Sequence, residues 1–405
     1  MRILLSAYAC EPDKGSEPGV GWNWATELSA QKNEVWVITR TNNRDSIEKE
    51  MEANPRDNLH FIYYDLPRWI QQCKKKFLGV HLYYFLWQVG IFTLARSLVK
   101  NITFDVIHHV TFVSVRQPSF LGLLGSPFIF GPVAGGEQAP MILRKAFPWR
   151  GWFVDAFRDL ANAYVKISPL MRITFHSAEI IYVTSEQSRR LIPKRYQEKT
   201  VVKLAIGTDS QHPNHHHELS SESIGPVRVL YVGQLLYWKG VHLALRSFSH
   251  FLKGSPDSRL TIVGRGPEEK RLRKLARHLN IDHAVEWQKW LPRSELDKVY
   301  QQHHALLFPS LHDSGGMVVL EAMNSGLPVV CLDLGGPGCT VNSSCGYKID
   351  TTDRSEKEVV FALSEALSNL FHSPQHQMKL SQGATEQAKS FGWPILVSSI
   401  YGSIS

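Results

Sequence analysis

The stretch FPSLHDSGGMVVLEAMNSGLPVV, Phe308 to Val330, decides how this chain reads. A buried strand, HALLFPS (His304 to Ser310), runs into a loop holding Asp313 and the pair Gly315-Gly316. A helix carrying Glu321 follows, ends in small residues at Ser325-Gly326, and passes through Pro328 into a second apolar strand. Two carboxylates therefore flank the exposed N–H groups of a helix N-terminus. That end carries roughly half a positive charge and several unsatisfied donors, so it suits an anion such as a diphosphate. An ionised carboxylate only accepts hydrogen bonds, so the acids suit neutral hydroxyls on either side. Hydroxyl, diphosphate, hydroxyl is the layout of a nucleotide sugar.

Outward from this stretch, short apolar runs alternate with helical patterns nearly from end to end. The first half holds runs at 3–9, 34–40, 59–66, 105–112, 127–134, 179–185 and 200–206. The second half holds runs at 227–233, 259–264, 285–290, 304–310, 328–333 and 346–350. Continuous apolar strands separated by helices predict α/β architecture, with parallel sheets covered on both faces. Between the halves, Gly207 to Pro226 is polar and lacks apolar periodicity, which marks a linker. Its run His215-His216-His217 reads as solvated, because adjacent residues do not converge easily on one ion. The predicted division is a first Rossmann-like domain over 1–206, a linker over 207–226, a second Rossmann-like domain over 227–382, and a terminal helix over 383–405 that crosses back to the first.

With 405 residues, 43% hydrophobic and 20% charged, the chain suits a globular protein of two or three domains. A formal charge of +8 and a pI near 9.1 favour anionic partners. No basic run interleaved with aromatics resembles a nucleic-acid module. Five cysteines without a CxxC pair predict buried free thiols in a reducing compartment. The N-terminus begins directly as a strand, so no signal peptide is read and a cytoplasmic location is expected.

Two segments invite a membrane reading. Residues 67–100 join Lys74-Lys75-Lys76 to the apolar run FLGVHLYYFLWQVGIFTLA, and residues 142–167 read ILRKAFPWRGWFVDAFRDLANAYVKI. Both fit ordinary domain helices. Both also fit a surface dipping into an anionic lipid interface from the cytoplasmic side, with Trp at the boundary and cations at the headgroups.

Two strand-to-helix junctions complete the second half. VLYVGQLLYWKG (229–240) turns at Gly233 and presents Lys239 before an amphipathic helix, where a compact point charge can neutralise a phosphate. IVGRGPEE (262–269) offers Gly264, Gly266 and Arg265 at a similar turn. In order, strand–G-x5-KG, VGRGPEE, WLPRSEL (290–296) and PS-x3-D-x7-E-A-M-x2-G-x-PVV resemble the C-terminal half of a GT-B fold glycosyltransferase. The nearest likeness is to the retaining family four, glycosyl transferases group 1. SAYACEPDKGSEPGVGWNWATELS stands where that family has its N-terminal glycine loop, DVIHHVTF where it has a histidine-bearing strand, and SFGWPILVSSIYGSI where a helix crosses back.

The resemblance implies two facing Rossmann-like domains with a cleft between them. It implies that Glu321 accepts from ribose hydroxyls and Asp313 holds sugar hydroxyls. The backbone of Gly315, Gly316 and Met317 would lie against sugar and diphosphate, and Lys239 would neutralise the leaving group. Gly233, Gln234 and Arg265 would line the phosphate side, Trp290 and Leu291 would border the base, and Gly19 would close over the phosphates. His108 or His109 would sit near the anomeric centre. Two positions depart from the family pattern: Asp313 replaces a glutamate, and Gln234 an arginine beside the lysine. Arg265 or Arg116 could supply the missing cation.

The implied reaction is retaining hexosyl transfer from a nucleotide-diphosphate sugar to a glycan, lipid-linked or small-molecule acceptor. The chain has no Asp-x-Asp pair, so neither a metal of the kind that pair holds nor any other cofactor is expected. Competing readings are a nucleotide-sugar-binding subunit without catalysis, suggested by Gln234 and Asp313, and a GT-B nucleotide-sugar epimerase. An NAD-dependent oxidoreductase fits poorly, since no tight G-x-G-x-x-G follows the first strand.

Overall fold

The computed structural model describes residues 1–73, 79–208 and 226–402. The chain forms two compact units. One comprises Met1–Gly136, Arg158–Gly207 and the C-terminal residues from Trp393. The other comprises Glu137–Phe157 and Thr208–Gly392.

The first unit is built on seven parallel strands in the order β3-β2-β1-β4-β5-β6-β7. They are β1 (Arg2–Ala7), β2 (Glu34–Thr39), β3 (Leu59–Tyr63), β4 (Val106–Thr111), β5 (Phe128–Val133), β6 (Ile180–Val183) and β7 (Thr200–Val202). Every residue of β4 and β5 is buried, as a central parallel strand covered on both faces requires. Helices α1 (Ser16–Ala30), α2 (Gly79–Leu98) and the C-terminal α8 (Trp393–Tyr401) supply cover. Trp24 of α1 meets Trp393 edge to face, with centroids 6.3 Å apart.

The second unit holds six parallel strands in the order β10-β9-β8-β11-β12-β13. These are β8 (Arg228–Val232), β9 (Arg259–Val263), β10 (Val285–Gln288), β11 (Ala305–Phe308), β12 (Val329–Leu332) and β13 (Gly346–Ile349). Its helices used below are α4 (Val241–Phe251), α5 (Glu269–His278), α6 (Met317–Asn324) and α7 (Glu356–Leu370); α3 (Trp149–Val165) begins in this unit. Strand order reverses between β1 and β4 in one sheet and between β8 and β11 in the other. Ligands of open α/β sheets bind outside the strand C-termini at such switch points.

All thirteen apolar runs of the sequence are strands. The division of the chain differs from the contiguous one expected. Residues Glu137–Phe157 pack with the second unit because Ala139, Leu143 and Phe147 join its core. Phe147 stacks edge to face on Tyr237, at 4.8 Å between centroids, and the Tyr237 hydroxyl donates to Gly151 O and Asp155, both at 3.3 Å. The terminal return starts at Trp393, later than residue 383.

Helix α2 turns Tyr83, Tyr84, Trp87, Gln88, Ile91 and Ala95 into the first unit's interior. In the described part of that apolar run, 79–95, these six residues are core while Val80, Leu82 and Val89 stay exposed, and among the described residues no helix is long and apolar enough to cross a membrane. Lys74-Lys75-Lys76 and His215-His216-His217, like most of the expected linker, lie outside the described residues.

Candidate functional site

The turn after β8, the loop after β11 and the start of α6 meet at the C-terminal ends of β8 and β11. Past β8 the chain turns at Gly233 and makes a short turn over Tyr237–Lys239 before α4. Gly240, at φ +70°, closes that turn in the left-handed region. A Cβ there would lie 1.8 Å from the Pro309 carbonyl oxygen, so only glycine lets the turn reach the loop after β11. Leu311 N donates to Trp238 O (2.9 Å), and the Tyr231 hydroxyl donates to Lys239 O (3.1 Å). The turn and loop are thus one backbone assembly.

This assembly sets Lys239 Nζ 2.6 Å from Asp313 Oδ2, with both side chains largely shielded. Asp313 Oδ1 accepts from Gly316 N (2.9 Å) and Gly315 N (3.2 Å). Burial by itself would raise the Asp313 carboxyl, but the lysine and the two N–H groups outweigh it and hold the acid below its usual value. Gly316, at φ +63°, starts α6 in the left-handed region. Because Asp313 occupies the Gly315 and Gly316 donors, the N–H groups of Met317 and Val318 are those at the start of α6 without a hydrogen bond among the described residues. The open donors at the helix start thus begin after the glycine pair, at Met317.

Glu321 lies one helical turn past Met317 on the same face of α6. Its Oε2 accepts from the hydroxyl of Tyr300 (3.1 Å), a fully buried residue. Lys239, the start of α6 and Glu321 follow one another as a cation, a set of N–H donors and an acid.

The remaining predicted residues take varied places. Gln234 and Arg265 are exposed; Arg265 O accepts from Leu235 N (3.0 Å), which ties the turns after β8 and β9 together. Trp290 is 63% exposed, while Leu291 packs on the core. Arg116 belongs to the first unit, where its Nε donates to Asn162 Oδ1 (2.7 Å) and a terminal nitrogen donates to Gly135 O (2.6 Å). Gly19 lies in α1, where a Cβ would sit 2.0 Å from the Lys14 carbonyl oxygen.

His108 and His109 are both fully buried on β4 and face opposite sides of the sheet. His108 Nε2 approaches Gly131 O (2.5 Å), which can only accept, so that nitrogen carries the proton and Nδ1 accepts from the Tyr401 hydroxyl (2.7 Å). His109 Nε2 lies 3.3 Å from the Tyr84 hydroxyl. Burial pushes His108 down to about 3 and His109 to about 4, so both are neutral near pH 7. His108 ties the terminal helix α8 to the sheet.

Three features escaped the sequence reading. Tyr300 gives no local signal, being a core aromatic on a helix until the fold brings it to Glu321. Glu137, buried in the second unit, has its Cγ 3.3 Å from where a Cβ on Gly335 would sit, and that same position is 2.0 Å from Asp313 O. The preceding Gly135-Gly136 was its available signal. In the first unit, Arg40 lies over the rings of Tyr8 (5.0 Å) and Tyr83 (5.7 Å) and 3.5 Å from Asp65, beyond the ends of β1, β2 and β3.

Residues 218–387 match the family model described as Glycosyl transferases group 1. This stretch is similar to the group 1 glycosyltransferases. It contains Lys239, Asp313, Glu321 and Tyr300. D-inositol 3-phosphate glycosyltransferase of Corynebacterium diphtheriae is 30% identical over 182 residues, 42% of this chain and 41% of that protein. Glycogen synthase of Mycobacterium tuberculosis is 30% identical over 171 residues, 42% and 40% respectively. The chain spans about two-fifths of the length of these curated relatives. Among solved structures, a sucrose-phosphate synthase from Thermosynechococcus elongatus aligns over 99% of this chain and 98% of its own, at 17% identity and a TM-score of 0.62. Anabaena HepE, in complex with UDP and glucose, aligns over 99% and 98%, at 14% identity and a TM-score of 0.59. The matched stretch thus sits in a chain of GT-B fold, with two Rossmann-like units.

Proposed function

We propose that the chain transfers a hexosyl group from a nucleotide-diphosphate sugar to a hydroxyl of a glycan, lipid-linked or small-molecule acceptor, with retention and without a metal. The observation that carries this reading is the row formed by the Lys239–Asp313 pair, the free N–H groups at the start of α6, and Glu321 with Tyr300. Glu321 takes the ribose hydroxyls, the helix start and Lys239 take the diphosphate, and Asp313 takes sugar hydroxyls. As the anomeric C–O bond breaks, its electron pair leaves on the diphosphate, where Lys239 and the Met317 and Val318 donors stabilise the growing charge. The acceptor oxygen bonds to the same face of the anomeric carbon, and its proton passes to the departing phosphate. Relatives named as glycosyltransferases and a UDP-bound structural neighbour support the donor class.

Thermal unfolding against a panel of nucleotide sugars tests the donor assignment. A true donor at one hundred times its Kd adds about 2.7 kcal/mol of apparent stability, since it binds only the folded chain. NMR of the products then separates transfer from epimerisation or mere binding. No stabilisation by any nucleotide sugar would overturn the reading.

A lipid-linked acceptor is favoured by the surface of α3. Trp149, Phe153, Phe157, Leu160 and Tyr164 recur at helical spacing along one face and are each 57% to 74% exposed. Ile167 follows at 62% exposure, and Arg150, Lys166 and Arg172 are exposed cations nearby. Such a stripe is costly in water and suits the headgroup boundary of an anionic membrane. The membrane contact accordingly belongs to residues 142–167 more than to 67–100. The protein should sediment with vesicles containing phosphatidylglycerol, and Phe153→Ser with Phe157→Ser should abolish sedimentation. Equal sedimentation of the double variant would count against the contact.

A further inference from the structure

A cavity of about 280 Å³ lies in the second unit, apart from the residues of the donor site. Lys145, His242, Arg246, Arg271 and Glu356 line it, from the Glu137–Phe157 segment, α4, α5 and the start of α7. Arg246 Nε is 3.2 Å from Glu356, and Arg271 Nε is 2.6 Å from Glu268 and donates through another nitrogen to Ala146 O (3.4 Å). Lys145 has no ion-pair partner among the described residues, leaving one positive charge in excess over the two carboxylates. His242 is 4% exposed, and its Nε2 has no hydrogen-bond partner. A buried polar group is normally hydrogen-bonded, so an imidazole nitrogen left open beside two guanidinium groups points to a ligand.

The geometry points to a second binding site here, for a small phosphate-bearing anion held by Lys145, His242, Arg246 and Arg271. Guanidinium and ammonium groups are matched to phosphate oxygens, and a neutral His242 can donate from Nε2 to a third. Burial and the two arginines keep that imidazole neutral, at about 3. A cavity of about 280 Å³ has room for phosphate or a short phosphomonoester.

Isothermal titration of the full chain, in phosphate-free buffer, tests the site with inorganic phosphate and with glycerol 3-phosphate. Saturable binding is expected for the wild type and for Lys239→Met, which removes the donor-site cation. Lys145→Gln and Arg271→Gln should each weaken it at least tenfold. Lys145 is exposed, so its variant should remain folded by circular dichroism. Tighter binding of glycerol 3-phosphate would identify an organic phosphomonoester as the ligand, and equal affinities would identify phosphate itself. Binding lost in Lys239→Met, binding unaffected by both Lys145→Gln and Arg271→Gln, or no binding of either probe, would overturn the proposal. A separate titration with a donor nucleotide keeps this outcome distinct from the fate of the transferase reading.

Discussion

Replacing Lys239 with methionine should lower turnover by about 10²–10³-fold, the usual effect of removing one preorganised donor from a site of developing negative charge. Lys239 is the cation at the turn before α4, and Gln234 offers no second positive charge beside it. The family pattern shares this duty between two side chains; in the proposed reading Lys239 alone carries it. The variant has a second signature that comes from Asp313. That carboxyl is held below its usual value of 3.8, so the pair stabilises the fold fully above that pH and loses its contribution as pH falls through the depressed value. The side chains are 20% and 15% exposed, which places the interaction between surface and buried pairs, at ~1–3 kcal/mol. The difference in Tm between wild type and Lys239→Met should therefore be greatest near neutrality and shrink below about pH 4. Lost turnover with no pH-dependent Tm difference would separate the catalytic cation from the ion pair. Turnover within twofold of wild type would remove Lys239 from the site.

The two kinds of information in the chain were not equally legible. Parallel strands buried on both faces write themselves as uninterrupted apolar runs, so all thirteen strands could be located without a fold. Asp313, Glu321 and Lys239 were legible because each lies at a local junction where strand, loop and helix signals follow one another within a dozen residues. What a linear reading misses is chain that leaves its own half. Glu137–Phe157 is marked only by the Gly135-Gly136 pair before it, yet Leu143 and Phe147 bury with residues about a hundred positions later. Tyr300 and Glu137 reach the site only through such long-range packing. The sequence makes the Gly315-Gly316 donors look ligand-facing because it cannot say that Asp313 bends back to accept from both. The resemblance implies that His108 or His109 sits near the anomeric centre. The burial that makes β4 a central strand also encloses both imidazoles, and His108 spends both nitrogens on Gly131 and Tyr401.

Glu321→Ala should raise the donor KM by about 10²-fold or more, with a smaller change in kcat. Hydrogen bonds to a charged acceptor are worth about 1.5–3 kcal/mol each, and a carboxylate can accept from both ribose hydroxyls. The ribose is remote from the bond that breaks, so its contacts act on ground state and transition state alike; losses of that kind appear in KM. Glu321→Gln keeps the volume but trades one acceptor oxygen for a donor, and should lie between wild type and alanine. Tyr300→Phe separates holding from binding. It removes only the hydroxyl that fixes Glu321 Oε2, so it should raise KM several-fold through lost orientation while leaving the acceptor charge in place. A double-mutant cycle between the two should then be strongly non-additive, with Tyr300→Phe adding little once Glu321 is alanine. Additive losses would show that Tyr300 acts on the core alone. An unchanged KM in Glu321→Ala would move the ribose, and with it the whole polarity of the site, away from the far end of α6.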